Sequence, residues 1–175
     1  RQRQMCIRDS CGTLDRTGKH DLFHAFLGAH SHITSSLQTL LRGVLMRLLL
    51  ASSSPRRRAL LSLLVSDFES SAPDIDERPW ALESPAECVA RLAGEKAKTG
   101  IADQWVSLGS DTIVAMGHDI LGKPRDSQDA AAMLRALSGN THEVHTAVAV
   151  AYGATVETVT CNCLLYTSPS PRDDL

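Results

Sequence analysis

Apolar residues in this chain fall into short runs and alternations, and the sharpest change of pattern lies at residues 48–64, LLLASSSPRRRALLSLL. Four apolar residues give way to three serines, a proline and three arginines, and an apolar pattern with helical spacing then resumes. The pattern predicts a buried strand over 44–51, a hydroxyl-rich turn, and a helix over 56–64. Pro55 suits the first helical turn, where an N–H would have no intrahelical partner. Downstream, the pattern predicts a short strand over 68–73 and an acidic loop over 74–82. Ser84-Pro85-Ala86-Glu87 reads as a capping box with proline at the first helical position. It opens a helix that runs to about Lys98 and stops at Gly100, with Val89, Leu92, Ala93 and Ala97 on its apolar face.

The second half reads as strands over 105–108 and 112–116, joined through Gly109-Ser110-Asp111. Gly117-His118-Asp119 reads as a turn into Ile120-Leu121, and residues 127–137 as a helix with an Asp126 or Ser127 cap. Residues 141–152 alternate cleanly. Val144, Thr146, Val148 and Val150 share one face, and His145, Ala147, Ala149 and Ala151 the other. Gly153-Ala154 is a hairpin signal, and 156–160 begins a return strand. Strands alternate with helices, so the expected class is α/β, with a central mixed sheet flanked by helices.

Both ends change character. Residues 1–43 lack sustained periodicity, and Met46 makes a sensible native start. Residues 161–175 end in Ser-Pro-Ser-Pro, which suits neither a strand nor a helix interior. MCIRDS at 5–10 and LLYTSPSPRD at 164–173 resemble translated adaptor or assembly sequence. The expected organisation is therefore a non-native or disordered leader (1–43), a domain over 44–160, and a non-native or disordered tail (161–175).

With 175 residues the chain can bury a core, and a formal net charge of −2 gives no global attraction to nucleic acid or to anionic membranes. Arg56–Arg58 is the one compact basic patch, and aromatics make up only 4% of the chain, so a nucleic-acid binder ranks last among the function classes. No apolar run is long enough to span a bilayer. The five cysteines form neither a zinc pattern nor an even disulfide framework, which fits a reducing, cytoplasmic setting. His142 and His145 lie three apart on a strand and face opposite sides, which argues against shared metal ligation.

Candidate chemistry gathers at strand ends and helix starts. Ser52–Arg57 combines hydroxyls, guanidinium groups and a helix N-terminus, a combination that suits phosphate. Arg56, Arg57, Lys96 and Lys123 can pair with phosphate oxygens, while Glu77 and Asp111 can hold a divalent cation or position water.

In order, LASSSPRRRALL, IDE, ESPAECVARLAGEKA, GSDTIV, ILGKPRD and AAMLRALSGNTHEVHTAVAV resemble the Maf family of nucleoside triphosphate pyrophosphatases over about 46–160. The resemblance implies a fold related to inosine triphosphate pyrophosphatases and a homodimer. It implies hydrolysis of a nucleoside triphosphate to monophosphate and pyrophosphate with a divalent cation, Mg²⁺ or Mn²⁺. By the same resemblance, Ser54, Arg56 and Arg57 belong to the phosphate-binding start, Glu77 to the second motif, Lys96 to the EKA motif and Lys123 to the GKP motif. Asp111 matches the proton acceptor, with Glu77 and Asp111 the metal-facing carboxylates. An aspartate is a poor base at its reference pKa of about 3.9, so that role asks for burial or a metal-bound water.

Arg56 and Thr112 stand where the family distinguishes substrate classes, and the pairing resembles the dTTP/UTP branch. The 7-methyl-GTP branch tends to carry tryptophan and glutamine there. The family's glycine-rich C-terminal motif, with a third specificity residue, has no match, so the resemblance implies a C-terminally truncated member. The alternatives are the 7-methyl-GTP branch and a non-catalytic regulator of septum formation.

Overall fold

The computed structural model describes residues 4–9 and 46–168. The capping signals are met in full. Helix α1 (Pro55–Ser62) starts at N-cap Ser54, and α2 (Pro85–Lys98) starts at a reciprocal box between Ser84 and Glu87. Helix α3 (Ser127–Leu137) starts at Asp126, whose side chain accepts from the Asp129 amide.

The strands are β1 (Gln4–Asp9), β2 (Arg47–Ala51), β3 (Glu69–Ser71), β4 (Trp105–Met116), β5 (Asp119–Leu121), β6 (Thr141–Tyr152) and β7 (Thr155–Thr167). They form one mixed sheet of order β1-β7-β6-β4-β2-β3, with β5 on β4. Strand β2 runs parallel to β3 and β4, whereas β4, β6, β7 and β1 pair antiparallel. The class is α/β, as the element order predicts. No helix among the described residues is long and apolar enough to cross a membrane.

The two faces of the sheet carry separate cores. Ala147, Ala149 and Ala151 of β6 and Ile113 of β4 pack against Cys88, Val89, Leu92, Ala93 and Ala97 of α2. Leu48, Leu50 and Val106 pack with Leu61 of α1 on the other face. The alanine side of β6 is what admits a helix at short range. Gly109 on β4 completes the fit: a Cβ there would overlap the Ala93 carbonyl and the Ala97 amide of α2.

Four expectations change. The segments 105–108 and 112–116 are one strand. Gly-Ser-Asp is poor strand sequence, yet β4 pairs with β6 without interruption from Ser107 to Ala115. The return strand passes the expected domain limit at Thr160 and ends at Thr167. Its Thr-, Val- and Leu-rich sequence suits a strand, β6 offers a twelve-residue partner, and the run stops only at Ser168, just before Pro169. The segment expected to be an unstructured leader contains β1, which pairs with β7 between the Gln4–Thr167 and Asp9–Cys163 registers. Residues 1–3 and 10–43 of that leader, 44–45 of the expected first strand and 169–175 of the tail lie outside the described residues. Finally, α1 ends at Ser62 and buries only Leu61, leaving Leu60, Leu63 and Leu64 exposed.

Gly109→Ala is expected to lower stability by about 3 kcal/mol, near the upper end of overpacking costs, because the new methyl meets backbone that cannot rotate away. Gly122→Ala, where a Cβ meets nothing within 4 Å, should stay within about 0.5 kcal/mol of the parent. Thermal or denaturant unfolding of both variants checks the pair.

Candidate active site

One edge of β4 is taken by β6. Its other edge is taken by β2 as far as Gly109 and by β5 from Val114 onward. Residues Ser110 to Ile113 therefore sit in a notch between the end of β2 and the end of β5. A crevice at the carboxyl ends of parallel strands is where α/β sheets hold ligands. The chain leaves β2 at the notch into Ser52–Arg57, and it leaves β5 there from the opposite side into Gly122-Lys123.

Asp111 points from the notch to the α2 face and is buried. The Lys96 ammonium on α2 donates to Asp111 Oδ1 at 2.6 Å and lies 2.7 Å from Glu77 Oε1. Lys123 Nζ reaches Glu77 Oε2 at 2.9 Å. Asp111, Lys96, Glu77 and Lys123 thus form one line of alternating charge. Side-chain exposure along it is 12%, 5%, 44% and 88%, so it leads from the interior to solvent. The hydrogen bond from Lys96, aided by Lys123, pulls the Glu77 carboxyl down to about 2. Removing one partner of a buried ion pair strands the other charge, at a cost of about 3–5 kcal/mol.

Packing explains why these four groups meet. Gly109 lets α2 settle on β4, which brings Lys96 over Asp111, two residues along the strand. Ile75 in the acidic loop and Ile120 in β5 both pack on the α2-side core. One anchors the segment that carries Glu77, the other the hairpin that leads to Lys123. These two isoleucines, and Gly109 itself, are functional positions that the motif reading passes over. The signal available was an apolar residue two or three positions before each charged one.

The remaining expected residues gather separately. At the start of α1, Ser52 Oγ accepts from the Ser54 amide at 3.2 Å, and Ser54 Oγ accepts from the Arg57 amide at 3.5 Å. Arg56 is exposed and Arg57 partly buried, and neither forms an ion pair among the described residues. Thr112 projects from the face of β4 opposite Asp111, with its hydroxyl 3.4 Å from that of Thr146. That is the α1 side of the sheet, so Arg56 and Thr112 share a side with each other but not with the Asp111–Lys96 pair. His142 and His145 are both buried on opposite faces of β6. His145 Nε2 lies 3.1 Å from Glu143.

Residues 47–168 match the family described as Maf-like protein. The chain belongs to the Maf family. Among curated relatives, it is 54% identical over 116 residues to a dTTP/UTP pyrophosphatase of Shewanella oneidensis, covering 61% of this chain and 60% of that one. It is 49% identical over 128 residues to a dTTP/UTP pyrophosphatase of Salmonella typhimurium, covering 71% and 63%. This Maf chain thus spans about 60% of the length of the curated relatives it matches. Among solved structures, a HAM1 protein from Coxiella burnetii aligns with TM-score 0.46 at 17% identity, covering 68% of this chain and 71% of that one.

Acid titration separates Glu77 from its neighbours. A carboxyl held near 2 when folded and near 4.5 when unfolded stabilises the fold above the higher value. That contribution disappears as pH falls from about 4.5 to about 2. Asp76 and Glu83, also held near 2, act in the same window, so the comparison has to be between variants. Glu77→Gln should be less stable than the parent at pH 7, with the gap closing as pH falls toward 2. A gap independent of pH in urea unfolding would show that Glu77 is not held by its lysines.

Proposed function

We propose that this Maf domain hydrolyses dTTP or UTP to the monophosphate and pyrophosphate. The observation that supports the reading is the notch in β4, with the line of charge from Asp111 to Lys123 on the α2 side of the sheet and the start of α1 on the other. In the sequence around it, about half the positions are identical to those of dTTP/UTP pyrophosphatases.

In this reading the phosphate chain lies between the α1 start and Lys123. Among the described residues Arg56 and Arg57 pair with no carboxylate, and guanidinium groups suit paired phosphate oxygens. Ser54 and the helix N-terminus add hydroxyl and amide donors. Water cleaves the α–β anhydride bond, its proton passes to Asp111, and pyrophosphate leaves with its charge offset by Lys123. Lys96 holds Asp111 and Glu77 on a single ammonium and so fixes where both carboxylates face.

Both carboxylates lie within 2.7 Å of one nitrogen, and two converging carboxylates plus phosphate oxygens are the donor set that Mg²⁺ takes in such sites. Glu77 and Asp111 would hold that ion, which when bound neutralises charge on the phosphates. The open edge of β4 leaves room for one ligand to span it, its phosphates reaching from the α1 start across the edge to the α2-side carboxylates and its base toward Thr112.

Pyrophosphate release from dTTP, UTP, CTP and 7-methyl-GTP tests the reading, with dTTP and UTP expected to lead. Asp111→Asn should lower turnover by about 10²–10⁴ while nucleotide affinity stays within a few-fold. Release from none of the four, or an Asp111→Asn enzyme as fast as the parent, would overturn it.

Base choice has its own test. Arg56→Trp with Thr112→Gln should move preference toward 7-methyl-GTP through added ring area and an amide able to read a base edge. An unchanged ranking of substrates would place selectivity elsewhere in the chain.

A further inference from the structure

Residues 72–83 form a strap without regular structure that crosses from β3 toward α2 and carries Glu77. Ile75 secures its first half. Its second half is held from α2 chiefly by Arg91. The Arg91 guanidinium donates through Nε to Glu83 Oε1 at 2.7 Å and through Nη2 to Glu83 Oε2 at 2.8 Å. Nη2 also reaches the Arg78 carbonyl at 3.1 Å, and Nη1 reaches the Glu95 carboxylate at 3.3 Å. The guanidinium carbon lies 4.1 Å from the centre of the Trp80 ring. Arg91 and Glu83 are 12% and 8% exposed, so this is an interior clasp rather than a surface pair.

We propose that Arg91 is a positioning residue that sets the reach of Glu77 to Lys96 by clasping the strap onto α2, an inference that rests on the pyrophosphatase reading of the site. The Arg78 carbonyl it holds belongs to the residue directly after Glu77. Arg91 and Lys96 lie on the same helix, so one rigid element fixes both the backbone beside Glu77 and the ammonium that Glu77 must meet. The strap needs such a hold. Leu82 is fully exposed and sits at φ 67°, a conformation that side-chain-bearing residues seldom adopt. The turn around it is closed by the Trp80 amide donating to Glu83 Oε2 at 3.0 Å. Glu83 is thereby joined to Arg91 and to the turn at once. Only arginine serves here, because the clasp uses a planar fork and a stacked face together, and lysine offers neither.

The variant Arg91→Lys keeps the charge and loses the fork. Its kcat for dTTP is expected to fall about 10–100-fold with KM changed less, as for a displaced catalytic group. In a Glu77→Gln background the same substitution should cost less than about threefold, because the group it positions is already gone. Equal losses in both backgrounds would overturn the proposal. Amide hydrogen exchange provides a readout that needs no activity. Exchange should quicken across 76–83 in Arg91→Lys while β4 and β6 keep the parent's protection, and unchanged exchange in the strap would also overturn it. If the parent chain releases no pyrophosphate, the pyrophosphatase reading fails by itself and the exchange result alone decides the clasp. Should Arg91→Lys fail to fold, Glu83→Gln, which weakens the same fork from the other side, takes its place in both measurements.

Discussion

The site depends on the absence of one side chain. Gly109 allows the backbone of α2 to lie directly on β4, with the Ala93 carbonyl and Ala97 amide in the space a Cβ would fill. Lys96 precedes one of those contacts in sequence, and Asp111 follows Gly109 by two positions on the same face of the strand. The ion pair between them is therefore a product of helix–sheet distance. The alanine face of β6 extends that closeness across the sheet, and Ile75 and Ile120 bring in the two connections that supply Glu77 and Lys123.

The notch gives the charges somewhere to act. Strand β2 pairs with β4 only as far as Gly109 and β5 only from Val114 onward, so the middle of β4 keeps one free edge beside the N-terminus of α1. The hydroxyl and amide groups of the α1 start lie on one side of the sheet, while Asp111, Lys96, Glu77 and Lys123 lie on the other. The balance of charge matters as much as the shape. Glu77 and Asp111 are paired with lysines, whereas Arg56 and Arg57 have no ion-pair partner among the described residues.

Much of this was legible in the sequence because the relevant rules are local. The capping box at Ser84, the proline at the start of α1 and α2, the alternation in 141–152 and the turn at Gly153-Ala154 depend on neighbours within a few residues. The order of the six motifs was enough to bring Glu77, Lys96, Asp111 and Lys123 together. Where the reading failed, distance along the chain was the cause. Gly109-Ser110-Asp111 looks like a break until β6 is alongside, and 161–167 looks like a tail until the pairing with β6 carries it on. The apolar spacing of α1 is real, yet only Leu61 finds a cover among the described residues. Arg91 was invisible for a related reason: an arginine on a helix is ordinary, and only the returning strap makes it central.

The alanines at 147, 149 and 151 have a role that reaches past packing. They set the standoff between a helix and a sheet, and the carboxylate-to-ammonium spacing follows from that standoff. A single added methyl in this row would overpack the seam between helix and sheet and press on the charged line as well as on stability. Variation at such positions is thus constrained by chemistry although none of them touches a ligand. In this domain the interior keeps the ruler by which the surface groups are placed, and selection for turnover would be recorded in the size of buried side chains.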